Sequence, residues 1–163
     1  MVQIRQATIN DLPQMLEIYN DVILHTSAVY DYEPHTLEMR EQWFETKHQQ
    51  GFPVFVVDEE NEILGFSSIG TFRNWAAYKY SVENSVYVKE NCRGKGIGKI
   101  LLQPLIEAAK ELKMHTIIAS IDATNEASLR LHKSFGFEEV AHFKEVGYKF
   151  ERWLDLKFLQ LFV

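Results

Sequence analysis

Residues 86–99 read Val-Tyr-Val-Lys-Glu-Asn-Cys-Arg-Gly-Lys-Gly-Ile-Gly-Lys, an apolar strand running into a glycine-rich basic loop that opens directly into an amphipathic helix. Without side chains to shield them, Gly94, Gly96 and Gly98 leave successive N–H groups free to point at an anion from the positive end of that helix. Arg93, Lys95 and Lys99 add charge to the same turn. The chemistry this favours is the grip of a diphosphate, so the expected ligand is a phosphorylated cofactor. Spacing argues against two nucleotide loops. The order is Arg-x-x-Gly-x-Gly, not the Gly-x-Gly-x-x-Gly of dinucleotide folds. Neither Gly94-Lys95 nor Gly98-Lys99 is followed by the Ser or Thr that a P-loop uses to hold magnesium.

A chain of 163 residues, 46% hydrophobic and 25% charged, fits one domain spanning 1–163 with a sizeable core. The formal net charge is −6 and the basic residues form no long run, which argues against a nucleic-acid surface. No stretch approaches the roughly 20 apolar residues of a membrane span, and the first residues lack a basic segment followed by an apolar signal core. A cytoplasmic protein without membrane attachment is expected. Cys92 is the single cysteine, which excludes an internal disulfide or a cysteine-rich zinc site and fits a reducing compartment. The six histidines show no His-x-x-x-His spacing, so no metal is expected.

The elements that must position the loop follow from periodicity. Ile4 starts a short strand, and Thr8 or Asn10 can cap a helix to about Leu24 with Leu12, Met15, Leu16, Tyr19, Val22 and Ile23 on one face. Thr36 can cap a second helix, with Leu37, Met39, Trp43 and Phe44 as its core residues. Pro53–Val57 and Ile63–Ile69 read as an antiparallel hairpin, and 71–80 is polar, aromatic and basic at once. Ser81–Val88, the glycine loop, a helix to about Lys113 and a strand from His115 to Asp122 form a β-loop-α-β unit. Thr124 or Asn125 caps a helix ending near Gly136, and two strands finish the chain. In the last strand Tyr148, Phe150, Arg152, Leu154, Leu156 and Phe158 fall on one face, with Trp153, Asp155, Lys157, Leu159 and Leu161 on the other.

The loop, with Arg93, Gly96 and Gly98 in place, resembles the acetyl-coenzyme A loop of the GNAT superfamily of N-acetyltransferases. About thirty residues later, Asn125-Glu126-Ala127-Ser128-Leu129-Arg130-Leu131-His132-Lys133-Ser134-Phe135-Gly136-Phe137 resembles the helix that follows the fifth strand of those enzymes. Within the superfamily, Ser81-Val82-Glu83-Asn84-Ser85-Val86-Tyr87-Val88 is similar to a strand of the phosphinothricin and methionine sulfoximine acetyltransferases. Tyr32-Glu33-Pro34, the Arg73–Tyr78 segment and Arg152–Leu156 also have counterparts there, so the resemblance covers nearly the whole chain. It implies an α/β (α+β) fold, a mixed and mostly antiparallel central sheet with helices on both faces. It also implies transfer of an acetyl group from acetyl-coenzyme A to the α-amine of a small, glutamate-like amino acid, with a homodimer as the common assembly.

The resemblance carries roles to particular positions. Val86, Tyr87, Val88, Arg93, Gly94, Lys95, Gly96, Ile97, Gly98 and Lys99 would hold the cofactor, with Asn125 at its pantetheine arm. An ammonium cannot attack a thioester, so a base must stand near the nucleophile, and Glu83 is the candidate. Glu83, Ser85 and Tyr87 share one strand face, and burial among Trp75, Tyr78 and Tyr87 would raise the glutamate into range. The unpaired strand N–H near Val88 would stabilise the oxyanion. His132 stands where many relatives have a Tyr acid, so it would protonate the thiolate or hydrogen-bond the cofactor. Arg73, Asn74, Trp75, Tyr78, Lys79, Asn84 and Ser85 would join Glu83 around the acceptor, Arg73 taking the carboxylate or an oxidised sulfur or phosphorus group. Lys79 replaces a frequent Arg and lacks its planar fork. Two alternatives share the fold: a protein or peptide N-acetyltransferase, and a noncatalytic coenzyme A-binding module, which would not need Glu83.

Overall fold

The computed structural model describes residues 1–163. Its strands are β1 (Gln3–Gln6), β2 (Val54–Glu59), β3 (Glu62–Thr71), β4 (Ser81–Val88), β5 (Thr116–Asp122), β6 (Glu138–Lys149) and β7 (Arg152–Phe162). They form one sheet in the order β1-β2-β3-β4-β5-β7-β6. Every neighbouring pair is antiparallel except β4 with β5. That parallel pair needs a crossover, which is the helix α3 (Ile97–Glu111) that the glycine loop opens. The fold is the mixed, mostly antiparallel α/β sheet expected.

Helices α1 (Leu12–His25) and α2 (Leu37–Gln50) cover one face of the sheet, while α3 and α4 (Glu126–Ser134) cover the other. Leu12, Met15 and Ile18 of α1 pack on Val56 and Phe66, and Leu102 and Leu105 of α3 pack on Val82 and Ile117. The caps come from the residues suited to it. Thr36 Oγ1 accepts from the Met39 N–H at 3.2 Å, and Asn125 Oδ1 accepts from the Ser128 N–H at 3.2 Å. At the first helical region Thr8 and Asp11 form a capping box, with Asp11 Oδ2 accepting the Thr8 N–H at 2.7 Å.

Two core expectations are corrected. Leu37 and Met39 are exposed, because α2 turns the stripe Arg40, Trp43, Phe44 and Lys47 toward the sheet. An arginine therefore takes the most buried place on that helix, its guanidinium stacked 4.1 Å from the Tyr19 ring centroid and 4.6 Å from that of Trp43. Neither Tyr148 nor Phe150 belongs to the last strand: Tyr148 lies on β6 opposite Trp153, and Phe150 and Glu151 form the tight turn between β6 and β7, at φ 53° and 58°. No helix is long and apolar enough to cross a membrane.

Candidate active site

The parallel pair is short. Only Ser81, Val82 and Glu83 of β4 pair with β5, opposite Thr116, Ile117 and Ile118, after which the two strands diverge. Lys89 donates its N–H to the Leu64 carbonyl of β3 at 2.8 Å, which fixes the alternation along β4. Odd residues from 81 to 89 bond toward β3, so the backbone groups of Asn84, Val86 and Val88 face the opening fork. Glu83 stands where the fork closes.

The glycine loop lies beyond the end of β4. Gly94 and Gly96 adopt left-handed φ of 76° and 83°, and a Cβ built on either would meet nothing within 4 Å. Five consecutive main-chain N–H groups, from Gly94 to Gly98, donate to no acceptor in the chain; the next, Lys99, bonds back to the Gly96 carbonyl at 3.1 Å. A row of unpartnered amides at a helix N-terminus is a seat for oxyanions, and a diphosphate fits it. Gly98 also lets α3 approach α4, since its Cβ would stand 3.0 Å from Leu131 Cδ2. Arg93 is partly committed elsewhere: Nε donates to the Val88 carbonyl at 3.2 Å and Nη2 stands 3.8 Å from Asp21. It ties the loop to the end of β4 as well as adding charge.

A groove of about 940 Å³ runs from this seat through the fork. Val86, Tyr87, Val88, Arg93, Gly94, Gly96, Ile97, Gly98, Lys99 and Asn125 all line it, so the structure brings together every expected cofactor residue except Lys95, which stands outside. Sequence reasoning missed part of the lining. Thr26, Ser27 and Ala28 after α1, and Phe150 and Arg152 at the β6–β7 turn, also line it. No sequence motif marks these residues, because the two segments meet only through tertiary contacts. Lys149 Nζ donates to the carbonyls of Ile23, Thr26 and Val29 at 2.6, 2.8 and 2.8 Å. Tyr30 donates its hydroxyl to Asp122 Oδ2 at 2.9 Å, and the Tyr32 hydroxyl donates to the Tyr148 carbonyl. The segment 26–32 is thereby strapped across the ends of β5 and β6.

The expected acceptor residues are placed differently. Asn84 is buried and faces α4, where its Nδ2 stands 2.9 Å from His132 Nε2. His132 Nδ1 lies 2.8 Å from the Ser128 carbonyl, so Nδ1 carries the proton and Nε2 accepts. Burial pushes this imidazole below its ordinary pKa, only partly countered by the Ser128 carbonyl. A neutral ring with both nitrogens engaged is a poor proton donor, so the geometry does not favour the expected acid. Glu83 and Tyr87 share the face under α1 and α2, where burial pushes the Tyr87 phenol up to about 12. Trp75 does not wall Glu83 in, since it is 72% exposed, and Tyr78 and Lys79 are exposed beside it. Arg73 and Asn74 are exposed too, and Arg73 folds on its own neighbour: Nη1 donates to the Phe72 carbonyl at 2.8 Å, with the guanidinium 4.4 Å from the Phe72 ring centroid. None of these acceptor residues, Ser85 included, lines the groove.

Comparison with known proteins identifies the family. The family described as "Acetyltransferase (GNAT) domain" matches residues 4–157. The L-methionine sulfoximine/L-methionine sulfone acetyltransferase of Pseudomonas aeruginosa is 45% identical over 97% of this chain and 92% of its own length. A GNAT superfamily phosphinothricin acetyltransferase from Sinorhizobium meliloti, crystallised in complex with acetyl-coenzyme A, is 35% identical with a TM-score of 0.96, covering 99% of this chain and 88% of its own. A structure titled ribosomal-protein-alanine N-acetyltransferase, from Brucella melitensis, is 48% identical with a TM-score of 0.97, over 99% of both chains.

Proposed function

Since the chain belongs to the GNAT family and is an acetyl-coenzyme A-dependent N-acetyltransferase, we propose that its acceptor is the α-amine of a small free amino acid of the methionine sulfoximine, methionine sulfone or phosphinothricin type. The observation that carries the reading is the row of five unpartnered amides, Gly94 to Gly98, opening into a groove that Thr26 to Ala28 also line, and relatives named for such acceptors support the choice of amine.

Acetyl-coenzyme A, when bound, supplies the electrophile: the amine nitrogen bonds to its thioester carbon and the carbon–sulfur bond breaks to leave a thiolate. The amides of 94–98 would hold the diphosphate, and Lys99 adds positive charge beside them. Val86 and Val88, whose backbone groups face the fork, offer preorganised N–H donors to the oxygen that gains negative charge. Glu83, where the fork closes, would take the proton the amine must lose, directly or through a water. His132 positions Asn84 and β4 through their hydrogen bond, and the thiolate is protonated from solvent or from the proton released by the amine.

We also assign a homodimer. Phe143, Val146, Tyr148 and Trp153 leave a large apolar surface exposed on β6 and β7, and sedimentation would read the assembly directly. A cytoplasmic site of action fits an enzyme that draws on acetyl-coenzyme A.

The Brucella likeness favours a second reading, in which the amine is a protein N-terminus. Release of coenzyme A thiol over a panel of methionine sulfoximine, methionine sulfone, phosphinothricin, polyamines and alanine-terminated peptides separates the two. Turnover of the free amino acids supports the proposal; turnover of peptides alone, or of none of the panel, overturns it.

A further inference from the structure

We propose that Lys47 is the positioning residue for Glu83: its ammonium takes the cross-strand place that Gly70 leaves empty, where it keeps the glutamate's carboxylate charged and oriented. The inference rests on the reading of Glu83 as the base and names the group that governs it. Gly70 of β3 pairs with Glu83 of β4, so the side-chain directions of the two share one face of the sheet, the face that carries Phe66 and Tyr87 beneath α1 and α2. A methyl group built on Gly70 would overlap Lys47 Nζ and stand 3.7 Å from Lys47 Cε. The lysine therefore fills, from α2, the position where a residue at 70 would put its own side chain. Directly opposed Cβ atoms lie about 5 Å apart, which sets the ammonium at the level of Glu83 on the strand.

Both groups are free for this role. Lys47 Nζ donates one hydrogen bond, to the Ile69 carbonyl at 2.7 Å, and has two further protons. The half-buried Glu83 carboxylate accepts no hydrogen bond and enters no ion pair in the chain, so no other side chain fixes it. Burial pushes Lys47 down to about 8 with the Glu83 charge opposing, which leaves the ammonium charged at neutral pH. The other titratable groups of this face are Arg40 of α2, Tyr19 of α1 and Tyr87 of β4, of which Tyr87 also feels the Glu83 charge. They cluster with one another, the Arg40 guanidinium 4.1 Å from the Tyr19 ring centroid and that ring 5.3 Å from the Tyr87 centroid. Phe66, Ser68 and Gly70 of β3 add none. Arg73 and Lys79, the cations of the segment after β3, are exposed, and Arg73 packs on Phe72.

The helix holds Lys47 in place. It follows Trp43 by one turn on the stripe that faces the sheet, and its ammonium lies 5.7 Å from the Trp43 ring centroid and 5.8 Å from that of Phe52. A half-buried carboxylate with no cation beside it is driven toward its neutral form, in which it cannot take a proton from the amine. The ammonium across the strand pair works against that drift.

The test follows the acid limb of kcat with the best acceptor of the panel above, in wild type, Lys47→Met, Lys47→Arg, Glu83→Gln and the double variant Lys47→Met/Glu83→Gln. Lys47→Met is expected to move the limb up by about one pH unit, lowering kcat about 10-fold on its acid side, while acetyl-coenzyme A affinity stays within about 2-fold. Lys47→Arg should bring the limb part of the way back, since it keeps the charge. In the Glu83→Gln background Lys47→Met should change kcat by less than about 2-fold, because a residue that acts through Glu83 then has nothing to act on. An unmoved limb in Lys47→Met, or the same loss with and without Glu83, overturns the assignment and leaves Glu83 as the base. If Glu83→Gln keeps the wild-type rate and pH profile, the base reading itself falls, and this inference with it.

Discussion

Asn84 on β4 and His132 on α4 meet inside the protein, amide nitrogen to Nε2 at 2.9 Å, and the contact ties the fork strand to the helix that follows β5. His132 is 3% exposed and Asn84 Oδ1 has no partner, so neither residue has spare hydrogen bonds to lose. Removing the ring in His132→Ala would strand the Asn84 amide in the core and leave a cavity under Phe137, whose ring centroid is 5.1 Å away. The expected cost is about 2–4 kcal/mol, read from urea denaturation. The pH dependence has a definite sign. Burial holds the folded pKa below the unfolded value near 6.5, so the neutral ring's contribution is present above that value and fades as pH falls through the folded pKa. The stability difference between wild type and His132→Ala should therefore be largest above pH 7 and shrink on acidification. A difference that grows toward pH 5 would mean that the ring is charged in the folded protein.

Lys149 is 5% exposed and places all three of its ammonium protons on carbonyls at the end of α1 and in the strap. Lys149→Met keeps the apolar stem and loses those donors, so Thr26 to Val29 should loosen while the five free amides of the glycine loop, to which Lys149 makes no hydrogen bond, keep their arrangement. The acceptor KM should rise about 10-fold with acetyl-coenzyme A affinity within about 2-fold, measured by steady-state kinetics and calorimetry. Equal losses for both ligands would show that the strap is general scaffolding.

Much of this molecule is legible in local pattern. The glycine loop, the Thr36 and Asn125 caps and the β4-α3-β5 unit are contiguous signals, and each element forms close to its expected place. The strap and what it packs on are not contiguous. Residues 26–32 and 148–152 are more than a hundred positions apart and are joined by Lys149 and Tyr32, so no window of sequence contains the wall they make. Arg73 and Trp75 lie on an exposed segment after β3, where Arg73 packs on Phe72, a placement that residue type alone does not give. Arg40 inverted the usual rule, since α2 buries a cation against aromatic rings while Leu37 and Met39 face solvent. His132 was legible as a position but not as a tautomer, which depends on Ser128 and Asn84 together.

Gly70 pairs with Glu83 across β3 and β4, and a methyl group built on it would overlap Lys47 Nζ, which donates to the Ile69 carbonyl at 2.7 Å. Lys47 is pushed down to about 8, chiefly by burial, with the Glu83 charge opposing. Its folded pKa thus lies below the unfolded value of about 10.4, so burying this lysine costs stability at neutral pH and the cost fades as pH rises from about 8 toward 10.4. The stability of Lys47→Met relative to wild type should therefore fall over that window, followed by thermal unfolding at fixed ionic strength. A difference that is flat across it would place Lys47 in water. Gly70→Ala should displace the ammonium beside Glu83 and lower kcat several-fold with little change in acetyl-coenzyme A affinity.

The glycine loop offers the sharpest separation of folding from binding. Gly96 sits at φ 83° and a Cβ added there would meet no atom within 4 Å, so Gly96→Val enters open space at its branch point. The fold loses only the strain of a left-handed β-branched residue, about 1–2 kcal/mol in chemical denaturation. The groove loses far more, because the new side chain stands among the five amides that would face the diphosphate. Acetyl-coenzyme A affinity should drop by at least about 100-fold in calorimetry, the scale of several charge-assisted hydrogen bonds prevented at once. Gly98→Ala tests the neighbouring position differently: its Cβ meets Leu131 Cδ2 at 3.0 Å, so α3 and α4 must part slightly and stability should fall along with affinity. Wild-type affinity in Gly96→Val would show that the diphosphate is held elsewhere, whatever becomes of Gly98.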